Sequence, residues 1–196
     1  MSLAVVGLSH HSAPVEVRER FVFPRGAAAA ALAGLRRSGV AEEAVLLSTC
    51  NRTEFYLRLP DGVAGEEAVV ELLAERAGMS VAEASSYIYR HGGRRGVEHL
   101  YRVVRRLASM VVGEAQIQGQ VRAAYEHASG LDTTPRVVGP VLSRMFQSAL
   151  AVGGRVRSMT ALGSGAASIP SAAVELARKI FGSLRGRRAL VLGAGE

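Results

Sequence analysis

Thiols are almost absent from this sequence. Cys50 is the only cysteine in 196 residues, which excludes a disulfide within the chain and any metal site built from several thiolates. Lysine is as rare: Lys179 stands alone, so nearly all of the 24 basic residues are arginine. No continuous apolar run approaches the ~20 residues that a membrane-spanning helix needs. The opening Met1 to Ser12 has neither the basic start nor the long apolar core of a secretory signal. A cytoplasmic protein without membrane association is expected.

What is present fits a globular protein, with 48% hydrophobic and 21% charged residues. The length suits one large domain or a domain with a helical appendage. The net charge of +7 rests on arginine, whose planar fork matches phosphate oxygens, so an acidic partner such as RNA is one reading. An arginine-rich solvated surface is the other, and charge alone does not choose between them.

Along the chain, Leu3 to Leu8 reads as a buried strand closed by Ser9-His10-His11-Ser12 and Pro14. Ala27 to Arg37 has strong helix propensity, with Gly39 as its stop. Ala44 to Ser48 and Phe55 to Leu59 read as short strands flanking Thr49-Cys50-Asn51-Arg52, and Pro60-Asp61-Gly62 as a turn. Gly65 to Ala77 is a second helix ended by Gly78, and a fourth strand is expected near Tyr87 to Tyr89. This order predicts an α+β domain of ferredoxin-like type, an antiparallel sheet with helices on one face.

After Gly92-Gly93 the pattern becomes helical. Leu100, Val103, Val104 and Leu107 form one stripe, with His99 at the start of that helix. Further helices are expected from Glu114 to Ser129, from an N-cap at Thr134-Pro135 with Val138, Val141, Leu142, Met145 and Val152 buried, and from Pro170 to Phe181. Gly153-Gly154 and Gly163-Ser164-Gly165 are expected to bracket a loop carrying Arg155 and Arg157. The chain ends on a basic pair, an apolar run and Gly193-Ala194-Gly195-Glu196, which is how a dinucleotide-binding unit opens. The expected divisions are a catalytic domain over 1–157, a connecting helical region over 158–186, and the first strand of a nucleotide domain over 187–196.

Cys50 follows an apolar strand and precedes Asn51 and Arg52. A neighbouring guanidinium favours the nucleophilic thiolate, and Thr49 and Asn51 can donate to an incoming carbonyl or carboxylate. A structural thiol fits the same residues, although a core position is seldom followed by Asn-Arg. His99 is a candidate general acid or base, or a hydrogen-bonded structural histidine. Gln116 and Gln120 share a helix face downstream of Ser109 and Glu114. Such amides suit a substrate with an amino group and a carboxylate, and equally a solvated face.

The segments Val6 to Val15, Ser48 to Tyr56 (STCNRTEFY), and Ser109 to Ile117 followed by Gly119-Gln120-Val121 resemble the glutamyl-tRNA reductase family. Val156-Arg157, Ser171 to Leu176 and Val191 to Glu196 continue the match in the family's order. The resemblance implies Cys50 as nucleophile, His99 as a histidine important for activity, and substrate contacts at Thr49, Asn51, Arg52, Ser109, Glu114, Ala115, Gln116 and Gln120. It implies NADPH as cofactor, reached through Gly193, Ala194, Gly195 and Glu196, and no metal. The implied partners are glutamyl-tRNA, a second copy through a C-terminal dimerisation domain, and the next enzyme of tetrapyrrole synthesis. The implied reaction reduces glutamyl-tRNA to glutamate-1-semialdehyde through a Cys50 thioester. A cysteine-dependent aminoacyl-ester hydrolase and a basic RNA-binding module are the alternatives. The chain departs from the family at Arg105-Arg106, where small residues are usual, at Ala115 in place of a common proline, and at Pro170 in place of a common serine.

Overall fold

In the computed structural model, residues 2–105, 116–159, 169–188 and 190 are described. The first strand is β1 (Ser2–Ser9), followed by the short helix α1 (Val15–Arg18), a 3-10 turn (Glu19–Phe21) and α2 (Arg25–Arg37). Next come β2 (Glu43–Ser48), β3 (Arg52–Leu59), α3 (Gly65–Ala77), α4 (Val81–Ser85) and β4 (Tyr89–Gly92). The helices α5 (Gly93–Val104), α6 (Gln116–Ser129), α7 (Pro140–Met159) and α8 (Ile169–Phe181) complete the order.

The strands pair in the order β2-β3-β1-β4, every neighbour antiparallel. This is the ferredoxin-like α+β arrangement expected from the sequence. Local signals explain much of it. Gly78 adopts φ 62, the left-handed conformation that closes α3 without a Cβ clash. The Ser80 hydroxyl accepts from the Glu83 amide and starts α4.

Helices cover both faces of the sheet, not one. Strand alternation puts Phe55 and Leu59 toward α2 and α3, where Phe23 meets Phe55 edge-on at 5.7 Å and Leu59 lies against Gly65. It puts Val5 and Tyr56 on the other face, where Val5 abuts Gly96 of α5 and Tyr56 meets Phe146 of α7 at 5.2 Å. The α5–α7 layer buries that face, so polar residues along it are sealed from water.

Three expectations are corrected. The last strand forms at Tyr89–Gly92, because Tyr87 and Ile88 close the turn after α4 through amide bonds to Ala84 and Ser85. The helix expected from Thr134-Pro135 begins at Pro140, where the fully buried Glu43 of β2 receives the amides of Val141 and Leu142 at 3.2 and 2.7 Å. A Cβ at Gly139 would sit 2.7 Å from Glu43, so glycine there admits the carboxylate. Gly153-Gly154 lies inside α7, which runs on to Met159, so no loop begins there. A Cβ at Gly153 would collide with Val104 and Gln118, so its glycine permits close packing of α7 on α5 and α6. Leu107, Gly163 to Gly165 and Gly193 to Glu196 lie outside the described residues.

Candidate active site

The β2–β3 connection is a tight turn with Cys50 exposed at its tip. Thr49 organises it: its amide donates to the Arg52 carbonyl at 2.8 Å, and its Oγ1 accepts from the amides of Asn51 and Arg52, both at 3.2 Å. Two neighbours hold the turn from below. The His10 amide donates to the Asn51 carbonyl at 3.0 Å, and Arg18 Nε donates to the Cys50 carbonyl at 3.2 Å.

Beneath the turn, alternation along β3 sends Arg52, Glu54 and Tyr56 to the face covered by α5–α7. Glu54 is fully buried and receives four donors: Arg52 Nη1 at 2.8 Å, Tyr56 Oη at 2.5 Å, Tyr89 Oη at 2.5 Å and His99 Nε2 at 2.9 Å. Burial alone would raise its carboxyl group. The His99 hydrogen bond, the Arg52 and His99 charges and the Tyr56 hydroxyl outweigh burial and hold it at about 2. An ionised carboxylate only accepts, so His99 presents Nε2–H to it. In the neutral ring Nδ1 then carries the lone pair. Burial first, and then the Glu54 charge, push the Tyr89 and Tyr56 phenols above their ordinary range.

Gly7 makes this convergence geometrically feasible. It lies opposite Glu54 on one side and Tyr89 on the other. A Cβ at Gly7 would collide with the Thr53 carbonyl and lie 2.7 Å from Glu54 Cα. The missing side chain leaves a lane across β1 through which the Tyr89 hydroxyl reaches Glu54.

Cys50, Thr49, Asn51 and Arg52 thus form one turn, and His99 is joined to its Arg52 through Glu54. His99 sits in the middle of α5, not at its start. Arg52 is 2% exposed and its guanidinium is bound to Glu54, so its charge is directed first to that carboxylate rather than to the Cys50 thiol. Gln116 opens α6, and Gln120 is half-buried one turn later. Ser109, Glu114, Ala115 and Arg106 lie outside the described residues.

Glu54, Tyr89, Gly7 and Arg18 were not singled out by sequence reasoning. The available signal was an acid in the middle of an apolar strand, and a glycine in another. His91 also belongs to this neighbourhood, 4.8 Å from the His99 ring and stacked on Tyr89 at 5.0 Å. Its imidazole is lowered by burial, by His99 and by Arg95 and Arg102, against the opposing pull of Glu54. A separate groove of about 710 Å³ between α2 and α3, lined by Ala27, Ala31, Gly34 and Leu72, lies on the far side of the sheet from Glu54.

A ferredoxin-like domain with an exposed cysteine on the turn between two strands, and a buried carboxylate bound to a histidine on the strand that follows, defines a class, a thiol-bearing α+β domain. The comparisons narrow that class. The family model described as "Glutamyl-tRNAGlu reductase, N-terminal domain" matches residues 6–160. The chain is 51% identical to a glutamyl-tRNA reductase of Rubrobacter xylanophilus, over 100% of the chain and 44% of that protein. It is 45% identical to one from Pelotomaculum thermopropionicum, over 100% of the chain and 43% of the relative. The solved structure of glutamyl-tRNA reductase from Methanopyrus kandleri superposes with a TM-score of 0.67 at 33% identity, over 90% of this chain and 39% of that one. The chain belongs to the glutamyl-tRNA reductase N-terminal domain family, and it spans less than half the length of these relatives.

Proposed function

We propose that this chain is the aminoacyl-accepting part of a glutamyl-tRNA reductase, in which Cys50 takes the glutamyl group from its tRNA. The observation that carries the reading is the exposed Cys50 at the tip of a turn fixed by Thr49, His10 and Arg18, whose last residue, Arg52, is bound to the buried Glu54 that also holds His99.

In this reading the Cys50 thiolate attacks the ester carbonyl carbon. The C–S bond forms, the bond to the tRNA 3′ oxygen breaks, and that oxygen takes a proton. His99 is the candidate carrier of that proton: with Nε2–H held by Glu54, its Nδ1 lone pair takes the proton of the Cys50 thiol and returns it to the leaving oxygen. Thr49, Asn51, Arg52, Gln116 and Gln120 are proposed to orient the glutamyl group, together with Ser109, Glu114 and Ala115. NADPH, when held by the full-length protein, supplies the hydride that converts a thioester to the aldehyde; the family motif assigns Gly193, Ala194, Gly195 and Glu196 to it. The further partners proposed for the full-length protein are a second copy through its C-terminal domain and the next enzyme of tetrapyrrole synthesis.

The alternative is a hydrolase, in which water resolves the same thioester as the physiological reaction. The chain as it stands, offered glutamyl-tRNA, is expected to release free glutamate slowly, with an acyl-Cys50 adduct visible by mass spectrometry. Cys50→Ala should abolish both, and His99→Asn should slow release about 10- to 1,000-fold through lost acid–base assistance. Unchanged glutamate release by Cys50→Ala would sink the reading. Longer forms that include the chain beyond Glu196 separate reductase from hydrolase: the aldehyde should appear with NADPH only in the former.

A further inference from the structure

Arg18 is buried, with 8% of its surface exposed, yet no carboxylate among the described residues pairs with it. Its two hydrogen bonds go to backbone carbonyls, Nε to Cys50 at 3.2 Å and Nη1 to Ala13 at 2.8 Å. Every other buried ionic group near it has a charged partner: Arg52 has Glu54, and Glu54 has Arg52 and His99. Carbonyl dipoles satisfy hydrogen bonds but do not neutralise a cation, and a buried charge without a counter-ion is costly to keep. The acids of its own turn, Glu16 and Glu19, are exposed, and neither reaches the guanidinium. The uncompensated charge sits against the main chain of the one residue that carries a thiol.

We infer that Arg18 is a positioning residue for the reaction at Cys50: it ties down the Cys50 carbonyl and presents an uncompensated positive charge to a carboxylate-bearing group that docks at this turn. This rests on the reading that Cys50 is the reacting thiol. The surrounding charges are consistent with the assignment. From β3, Arg52 is already neutralised by Glu54. From the end of β1, the His10 imidazole stacks on His11 at 3.9 Å and is held at about 4 by burial, His11, Arg52 and Arg18, so it adds no competing cation near neutral pH. From the 3-10 turn, Arg20 is engaged with the carbonyls of Ala77 and Gly78 and points away. Among the described residues, Arg18 is therefore the buried cation at the turn whose charge no carboxylate takes up.

Because Cys50 is the only cysteine, alkylation of the whole chain reports on this thiol alone. Iodoacetate and iodoacetamide attack the same thiolate through the same chemistry and differ in one carboxylate. The ratio of their rates therefore cancels thiol reactivity and turn order, and reads the charge met by the reagent. The expected ratio is about three- to tenfold above that of free N-acetylcysteine at the same ionic strength, as one nearby unit charge in a partly aqueous site would produce. Arg18→Met should bring the ratio down toward the free-thiol value, and Arg18→Lys should restore most of it. A wild-type ratio equal to that of N-acetylcysteine overturns the proposal, whatever the variants do. So does an unchanged ratio in Arg18→Met with both rates altered together, since that describes a residue that only ties down the turn. Acylation of Cys50 by glutamyl-tRNA is a separate measurement, and its failure would remove the proposed function without moving this ratio.

Discussion

The Cys50 turn and the buried Glu54 at the centre of the network lie on one hairpin, and their surroundings are built by opposite means. The turn is exposed and held by backbone amides, one threonine hydroxyl and a single arginine. The network centres on the fully buried Glu54 under α5–α7, with Arg52 and Tyr56 buried beside it and Tyr89 and His99 half-buried at its edge. In the proposed reaction exposure would let a bulky ester reach the thiol, while the burial of Glu54 makes its hold on His99 costly to disturb. The exposed thiol and the buried carboxylate are separated by the step from the turn to the interior of β3. The strand alternation that puts Arg52 and Glu54 on one face does the separating.

That contrast can be broken most forcefully at the buried end. Glu54→Ala leaves Arg52 buried without its carboxylate and strips His99, Tyr56 and Tyr89 of their common acceptor. A loss of about 3–5 kcal/mol is expected, as for removing one partner of a buried ion pair, and urea unfolding followed by circular dichroism measures it. A loss below about 1 kcal/mol would show that the network is not the rigid floor described above.

Acid titration sharpens the same point with a smaller effect. Glu54 is held at about 2, below the ordinary 4.5 of a glutamate. The folded protein therefore binds this proton less readily than the unfolded chain. The stability it contributes is complete above pH 4.5 and is lost as the pH falls toward 2. The difference corresponds to about 3 kcal/mol across that window. Stability curves of the native protein and Glu54→Gln should run closer together as pH falls from 4.5, and curves that stay parallel through that range would assign acid sensitivity elsewhere.

The smallest effect belongs to the turn. Thr49→Val removes the hydroxyl that accepts from the Asn51 and Arg52 amides, and these amides can turn to water because the turn is at the surface. A stability cost of about 1 kcal/mol is expected, together with a drop in the rate of Cys50 acylation that exceeds the drop in stability. Acylation by glutamyl-tRNA at a temperature well below unfolding measures it. If the rate is unchanged, the turn does not need its threonine to aim the thiol.

Much of the first hundred residues was legible because it is written in local terms. The α3 helix was read with its observed limits, since a run of helix formers ended at a glycine able to take φ 62. The turn at Thr49 to Arg52 was legible as a site because polar residues interrupt two apolar strands. The floor of the site was not. Tyr89 reaches Glu54 across the intervening Gly7, and no periodicity in either strand announces a contact 35 residues apart. The second helical layer was missed for a related reason: the same alternation that marks a half-solvated strand also describes one whose polar residues are paired under a helix.

The amino-acid sequence by itself determined the element types, the single thiol, the family to which the chain belongs and the residues of the Cys50 turn, because each is set by composition, by short-range periodicity or by a contiguous motif. Only the tertiary structure decided where α7 begins, what Arg52 does and which charge lacks a partner. Glu43 caps α7 from 98 residues away. Glu54 takes the guanidinium that the sequence offered to Cys50, and Arg18 is left with carbonyls alone. A charge acquires its meaning from the groups that burial brings within a few ångströms of it, and that proximity is a property of the packed chain.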